Sequence, residues 1–374
     1  MENTKRNILP KEKYIRSSDI HNISEYLGRV AVYIKERRQA ERIVVYRGEP
    51  AVYDRPCCPN LFRKQVLTGN VFFEKNLFDT MRQNKLTGEK RYLENAIDAQ
   101  HGEFPSRLLD VSYNCLTALY FAVTPYYHKA EDFMDQEDGM VYLLFVDEIY
   151  SPSAQNTNDA YEALIRRDQE WYRDNSIFWN SHKFIDHTKQ NDRIIAQQGA
   201  FILFAGEQAE ELPEYMYCGI RIPKDAKPLI REELKLLFGI HTGSVYPEII
   251  NLVRELSQKS QKLNTEEFNC RNELGHVLEQ MKRELQYYLD YALEQKEREN
   301  MDQILLRVEH RICHYRSGLV ELIEHLRKME TPALDKESRR QAIERYNRAL
   351  REFSAAVGEY GLGRFSCEAL QIIE

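Results

Sequence analysis

The sequence predicts an α+β domain, a small mixed β-sheet flanked by helices, followed by an all-α C-terminal region. Three observations carry this. Short runs rich in β-branched and large apolar residues, IVVY at 43–46, MVYLLFV at 140–146 and FILF at 201–204, are bounded by Gly, Pro and acidic residues, as buried strands are. Between them lie segments whose apolar residues recur at three- and four-residue spacing. Beyond Ser257 the strand-like runs stop and long helical periods take over.

Residues 1–17 are polar and lysine-rich and are read as a loose N-terminal segment. Ser18 or Asp19 is placed to cap a helix running from Ile20 to about Gln39, with Ile23, Tyr26, Leu27, Val30, Tyr33 and Ile34 on one face. A strand follows over Ile43–Tyr46, and Arg47-Gly48-Glu49-Pro50 stops it. Residues 51–69 read as loop with a short turn near Asn60–Arg63, and 70–99 as helices. Residues 107–110 read as a short strand, and the apolar stretch Leu116–Ala122 as a buried helix capped by Asn114.

Residues 148–190 are polar and interrupted by Trp171, Tyr172, Phe178 and Trp179, so irregular structure with helical pieces is expected. Gly199 leads into another buried strand, YCGIRIP at 217–223 alternates as a strand does, and LIREELKLLFGI ends as a helix at Gly239. The sheet is thus expected from strands near 43–47, 107–110, 140–146, 200–205 and 217–222. Residues 263–298, 301–329 and 333–357 carry amphipathic helical patterns, the last opened by Thr331-Pro332. They fit either an antiparallel bundle or an apolar stripe for a protein partner or self-association. The domain boundaries read from the chain are 1–17, 18–257 and 258–374.

Composition narrows the functional classes. With 43% hydrophobic and 30% charged residues over 374 positions, the chain can build a sizeable core and stay soluble. A net charge of −7 argues against a general nucleic-acid binder. No run reaches the roughly 18 apolar residues of a membrane span, and the first residues lack a signal-peptide core. A cytoplasmic protein is expected. The seven cysteines are scattered and form no CxxC, so reduced thiols and no metal site are expected. His310 and His314 have the four-residue spacing of helical metal ligands but lack an evident third ligand.

The chemistry-bearing residues concentrate between Gln100 and Ala122. Gln100, His101, Ser106, Arg107 and Asp110 form a dense polar group joined directly to the apolar helix. Each also has a bland reading. His101 can be a satisfied loop histidine, Asp110 a helix cap or the ion-pair partner of Arg107 or Arg47, and Gln197 a residue that satisfies loop backbone. Arg47 can be a strand-end arginine in a buried ion pair.

Three segments in order carry a family resemblance. The first is Tyr46-Arg47-Gly48. The second is Gln100, His101, Pro105, Arg107, Leu108, Leu109, Asp110, Asn114 and Ala118–Ala122. The third is Arg193, Ile194, Ala196, Gln197, Gly199 and Phe201. A closing series follows at Ile222, Pro223, Lys227, Leu234, Gly239, Ile240, Tyr246 and Pro247. Together they resemble the FRG domain, a bacterial family named for a Phe-Arg-Gly motif, with Tyr46 in place of Phe. The resemblance spans roughly 20–255.

FRG proteins resemble accessory or effector proteins of mobile elements and phage defence, toxin-like in action, and their motif order is similar to that of ADP-ribosyltransferases. That resemblance implies an ADP-ribosyltransferase-like fold and NAD or a related nucleotide as ligand and substrate, with its ADP-ribose transferred or cleaved. Arg47 would hold the diphosphate. Gln100, Ser106 (or Ser112), Arg107 and Gln197 would contact the ligand. His101 and Asp110 would be the catalytic candidates. The Glu expected in the third segment is replaced by Gln197-Gln198-Gly199, so Asp110, Glu103 or Glu207 would have to supply the acid. The rival expectation is a non-catalytic nucleotide-sensing or protein-interaction module. A nuclease is disfavoured for want of a carboxylate cluster.

Overall fold

A computed structural model describes residues 15–16, 20–37, 42–86, 91–101, 104–124, 133–175, 181–186, 192–206, 210–261, 263, 269–295, 300–328 and 332–371. The suggested caps Ser18, Asp19 and Thr331 lie outside them, as do Glu103 and Glu207. His101 closes a helix, but its side chain is likewise outside the description.

In chain order the elements are β1 (Ile15–Arg16), α1 (Ile23–Arg37), β2 (Ile43–Glu49), α2 (Asn60–Arg63), α3 (Phe73–Gln83), α4 (Tyr92–His101), β3 (Leu108–Ser112) and α5 (Cys115–Val123). Then come β4 (Gly139–Val146), α6 (Gln155–Arg166), α7 (Gln169–Asp174), β5 (Lys183–Ile185), α8 (Asp192–Gln197), β6 (Gly199–Leu203) and β7 (Tyr217–Ile222). The chain continues through α9 (Lys227–Phe238), α10 (Thr242–Val245), α11 (Ile249–Ser260), α12 (Cys270–Gln295), α13 (Met301–Arg327) and α14 (Pro332–Glu359). The backbone divides into two compact units, Met1–Gln261 and Lys262–Glu374.

The first unit is built on a seven-stranded sheet in the order β1-β7-β4-β2-β3-β6-β5. Six strands are antiparallel to their neighbours, and β1 joins β7 in parallel, which makes the sheet mixed. The three motif-bearing segments are therefore neighbours: β2 lies beside β3, and β3 beside β6. Strand β4, between β7 and β2, is buried along its whole length, as its unbroken apolar run requires. Strand β2 pairs with β4 from Ile43↔Val146 to Glu49↔Met140, but with β3 only at Tyr46↔Ser112. Beyond Tyr46 the two strands part.

Alternation along β2 divides its side chains between two faces. Tyr46 joins a core with α1, α5 and α9 through Tyr26, Ala118, Leu119 and Ile230. Val45 belongs to the opposite core, with Cys57, Leu61, Phe62 and Tyr142. A third core gathers α3, α4 and α6 over β3, β5 and β6 through Phe78, Leu93, Tyr161, Leu108 and Phe201.

Helix α5 is the pivot of the first core. Asn114 caps it, its Oδ1 accepting the N–H groups of Leu116 (2.9 Å) and Thr117 (3.4 Å). Its backbone then runs so close to the sheet that Gly48 has no room for a side chain. A Cβ there would overlap Ala118 O and come within 2.8 Å of Ala122 N, and one on Gly139 would overlap Ala122 O. The glycine of the Tyr-Arg-Gly motif is thus a close-approach glycine. Tyr26 Oη on α1 donates to Cys115 O at 2.8 Å, tying α1 to the start of α5.

In the second unit α12, α13 and α14 share one core through Leu278, Met281, Val308, Ile312, Tyr346 and Phe353, and the following residues Leu362, Phe365 and Leu370 pack into it. Among the described residues no helix is long and apolar enough to cross a membrane, and no three His, Cys, Asp or Glu side chains are grouped to hold a metal.

Candidate functional site

Most of the polar residues in the second and third motif segments are bound to the protein itself. Gln100 on α4 donates from Nε2 to Leu108 O at 2.9 Å and accepts from Ser106 Oγ at 2.9 Å. Ser106 Oγ in turn accepts from Leu108 N. This closes the turn between α4 and β3. Arg107 is buried: its Nη2 lies 2.6 Å from Glu74 Oε2 on α3, with side chains 7% and 2% exposed. Its Nη1 donates to the carbonyls of Phe204 and Gly206 at 3.2 and 3.1 Å, just past the end of β6.

Ser112 and Gln197 have the same character. Ser112 Oγ donates to Gln197 O at 2.7 Å and accepts from Asn114 N at 2.9 Å, joining the end of β3 to the end of α8. Gln197 Nε2 donates to Val245 O at 3.1 Å. Arg193 stacks over Tyr246, 4.5 Å from guanidinium carbon to ring centroid. The third segment and the closing Tyr-Pro are thereby parts of one contact. Between α8 and β6, Gln198 adopts a left-handed backbone with φ of 48°, and its carbonyl accepts Tyr113 N.

Arg47 is placed differently. It stands where β2 and β3 part, with its side chain 20% exposed. Its Nη1 donates to Asp110 O at 2.7 Å, reaching a carbonyl on the parted strand. Its Nε donates to Glu49 Oε1 at 3.1 Å. Burial disfavours the guanidinium's charge, but Glu49, Cys57 and Asp110 outweigh it and hold the pKa of Arg47 above its ordinary value. Asp110 meets Arg47 through its main-chain oxygen, and its own residue position is exposed. By strand alternation its carboxylate leaves the sheet on the side of Leu108, whereas Arg47 shares the side of Val45.

Two residues of this cluster were not among those singled out in the sequence. Glu49 is two positions after Arg47, hence on the same strand face. It is only 1% exposed, and its Oε1 also accepts Arg63 Nη2 at 3.2 Å. Its Oε2 has no hydrogen-bond partner among the described residues. Arg63 closes α2, and its guanidinium lies 4.0 Å from the centroid of the Tyr53 ring. Cys57, buried with a left-handed φ of 50°, lies close by. Burial and the Glu49 charge push its thiol well up, so it is not an activated nucleophile. The period-2 rule would have found Glu49; nothing in the local pattern announces Arg63.

A single α+β unit thus contains the three motif segments on adjacent strands, with one partly exposed arginine cluster beside them. The FRG domain family model matches residues 42–131, which span β2 to just beyond α5. The chain carries an FRG domain. No curated protein and no solved structure matched the chain.

Proposed function

We propose that the FRG domain binds NAD or a related nucleotide at the Arg47 end of β2 and transfers or cleaves its ADP-ribose. The observation that carries this reading is the state of Arg47. Its Nε and Nη1 are fixed by Glu49 and Asp110 O, while no residue among those described takes a hydrogen bond from Nη2. A guanidinium held this way presents its remaining N–H groups in a set direction, which suits a phosphate oxygen. The order of motif segments, similar to that of ADP-ribosyltransferases, agrees with it. Asp110 is the candidate acid that the resemblance offers for the charge that develops as nicotinamide leaves, although its carboxylate leaves the sheet on the face opposite Arg47. His101 precedes it in the same segment. In this reading the protein is a cytoplasmic bacterial effector whose consumption of NAD serves phage defence or toxicity, and α12–α14 recognise a partner or self-associate.

A second reading has its own support. Gln100, Ser106, Arg107 and Gln197 all have internal partners, which favours a non-catalytic module that binds the nucleotide without cleaving it. One experiment separates the two. The full chain is titrated with NAD calorimetrically, and nicotinamide release is followed by chromatography. Binding that falls at least tenfold in Arg47→Met, together with release that stops in Asp110→Asn, supports the enzyme. Binding without release selects the module. A wild-type chain that neither binds NAD nor releases nicotinamide rejects both.

A further inference from the structure

Arg47 does not stand alone at the parting of β2 and β3. Arg63, on α2, donates to the same Glu49 oxygen, at 3.2 Å against 3.1 Å for Arg47. The two guanidiniums therefore meet around one oxygen, each with a nitrogen within 3.2 Å of it, and their other N–H groups are the ones left for the oxygens of a phosphate or diphosphate. Two guanidiniums against one carboxylate leave a net positive charge at the cluster. Both arginines reach solvent, Arg47 at 20% and Arg63 at 28%, whereas Glu49 is sealed beneath them.

The donor count points the same way. A guanidinium carries five N–H groups. Arg63 spends Nη2 on Glu49 and, at 3.4 Å, on the carbonyls of Arg55 and Cys58. Its Nε and Nη1, like Nη2 of Arg47, make no hydrogen bond among the described residues. Tyr53 covers one face of Arg63 and fixes its plane. Glu49 Oε1 takes both arginines, and Oε2 is buried with no hydrogen-bond partner among the described residues.

We propose that Arg47 and Arg63 form a two-armed clamp for the diphosphate of the ligand, with Glu49 as the buried positioning residue that sets their separation. This rests on the assignment of Arg47 to ligand phosphate above and adds the second arm, contributed by α2. The clamp recognises a diphosphate by two guanidiniums contributed by different elements, β2 and α2, and it does not require the rest of the nucleotide.

The test uses the full chain and two probes, inorganic pyrophosphate and NAD, titrated separately into wild type, Arg63→Met, Arg63→Lys and Glu49→Gln. Folding of each variant is checked by its thermal midpoint. The clamp predicts that pyrophosphate binds the wild type, that Arg63→Met weakens both probes at least tenfold, and that Arg63→Lys recovers only part, because an ammonium lacks the planar fork. Glu49→Gln decides the positioning role by its sign. If Glu49 only screens the arginines, losing its charge tightens pyrophosphate binding; if it positions them, binding weakens about threefold or more. Should Glu49→Gln not fold, the Arg63 pair carries the test.

NAD binding that is unchanged in Arg63→Met overturns the clamp and leaves the Arg47 reading standing. Pyrophosphate binding that needs Arg63, in a chain that ignores NAD, keeps the clamp and removes NAD as the ligand. A wild type that binds neither probe overturns both.

Discussion

Replacing Arg107 by methionine separates a ligand-binding role from a structural one for the most conspicuous charged residue of the second motif segment. Methionine keeps much of the apolar stem while removing the charge and all five donors. What is lost can be read from the contacts. Arg107 Nη2 and Nε sit 2.6 and 2.7 Å from Glu74 Oε2, and its Nη1 serves the carbonyls of Phe204, Ala205 and Gly206. Breaking a buried pair by removing one partner costs about 3–5 kcal/mol, because the other charge stays buried and uncompensated. Against a total of about 5–15 kcal/mol for a typical domain, that is a large fraction.

The assay can be confined to the right unit. Both tryptophans of the chain, Trp171 and Trp179, precede residue 261 in the sequence, so Lys262–Glu374 contains none. Urea unfolding followed by tryptophan fluorescence therefore reports the sheet domain and leaves the C-terminal helices silent. Arg107→Met is expected to lower stability by about 3–5 kcal/mol. The double variant Glu74→Leu/Arg107→Met is expected to regain at least about 2 kcal/mol of that, since no orphaned carboxylate remains. The reasoning is refuted if Arg107→Met unfolds at the wild-type midpoint yet loses binding of NAD or pyrophosphate. Arg107 would then be a ligand residue.

Two further outcomes follow from the packing. Gly48→Ala drives a methyl into the backbone of α5 and is expected to cost about 3 kcal/mol or more in the same fluorescence assay; a wild-type midpoint would show that α5 is not seated on β2 as described. Lys227 is buried, its Nζ donating to Pro50 O at 2.7 Å, and burial lowers its pKa to about 8. The unfolded chain then holds a proton on Lys227 that the folded one has released, so stability rises with pH between about 8 and 10 and falls as pH drops back through 8. The rise is on the order of 1–3 kcal/mol, and Lys227→Met should abolish it; an unchanged slope in the variant would assign it to other groups.

The strands that the sequence exposes are those whose side chains are buried on both faces. β2, β4, β6 and β7 stand out because apolar residues fill consecutive or alternate positions. β5, only Lys183–Ile185, is too short to leave a period, and its place beside β6 comes from long-range pairing. The expected strand from 107 begins at Leu108 instead, because Arg107 turns into the Glu74 pair, although its carbonyl still accepts Phe204 N at 3.1 Å. Legibility of the site has a different limit. Arg47, Arg107, Gln100 and Gln197 are equally conspicuous as residues, yet only a three-dimensional count of donors and acceptors tells which of them are already used. Glu49 was within reach of the period-2 rule. Arg63 was not, since what brings α2 over the end of β2 is the burial of Leu61 and Phe62 against Val45, Leu109 and Phe204.

The division of labour among the motif residues has a physical consequence for whatever the site binds. Gln100, Ser106, Ser112, Arg107 and Gln197 fasten loop backbone to strand ends, and so fix β3 with respect to α4, α8 and the end of β6. Asp110 O, which orients Arg47, is a point on that fixed strand. Gly48, the next residue after Arg47, is pressed against the backbone of α5, and Asn114 fixes where α5 begins. Arg47 is thus located from its neighbouring strand, from the helix beneath the following residue and from Glu49 at its own Nε. A side chain with this many restraints loses little rotamer freedom when a ligand arrives, which is the condition under which a guanidinium gives affinity rather than spending it on its own ordering. For a ligand held by Arg47 as proposed, the polar residues of the second and third segments would act through this rigidity. Substituting them should therefore move stability first and binding only as far as Arg47 moves.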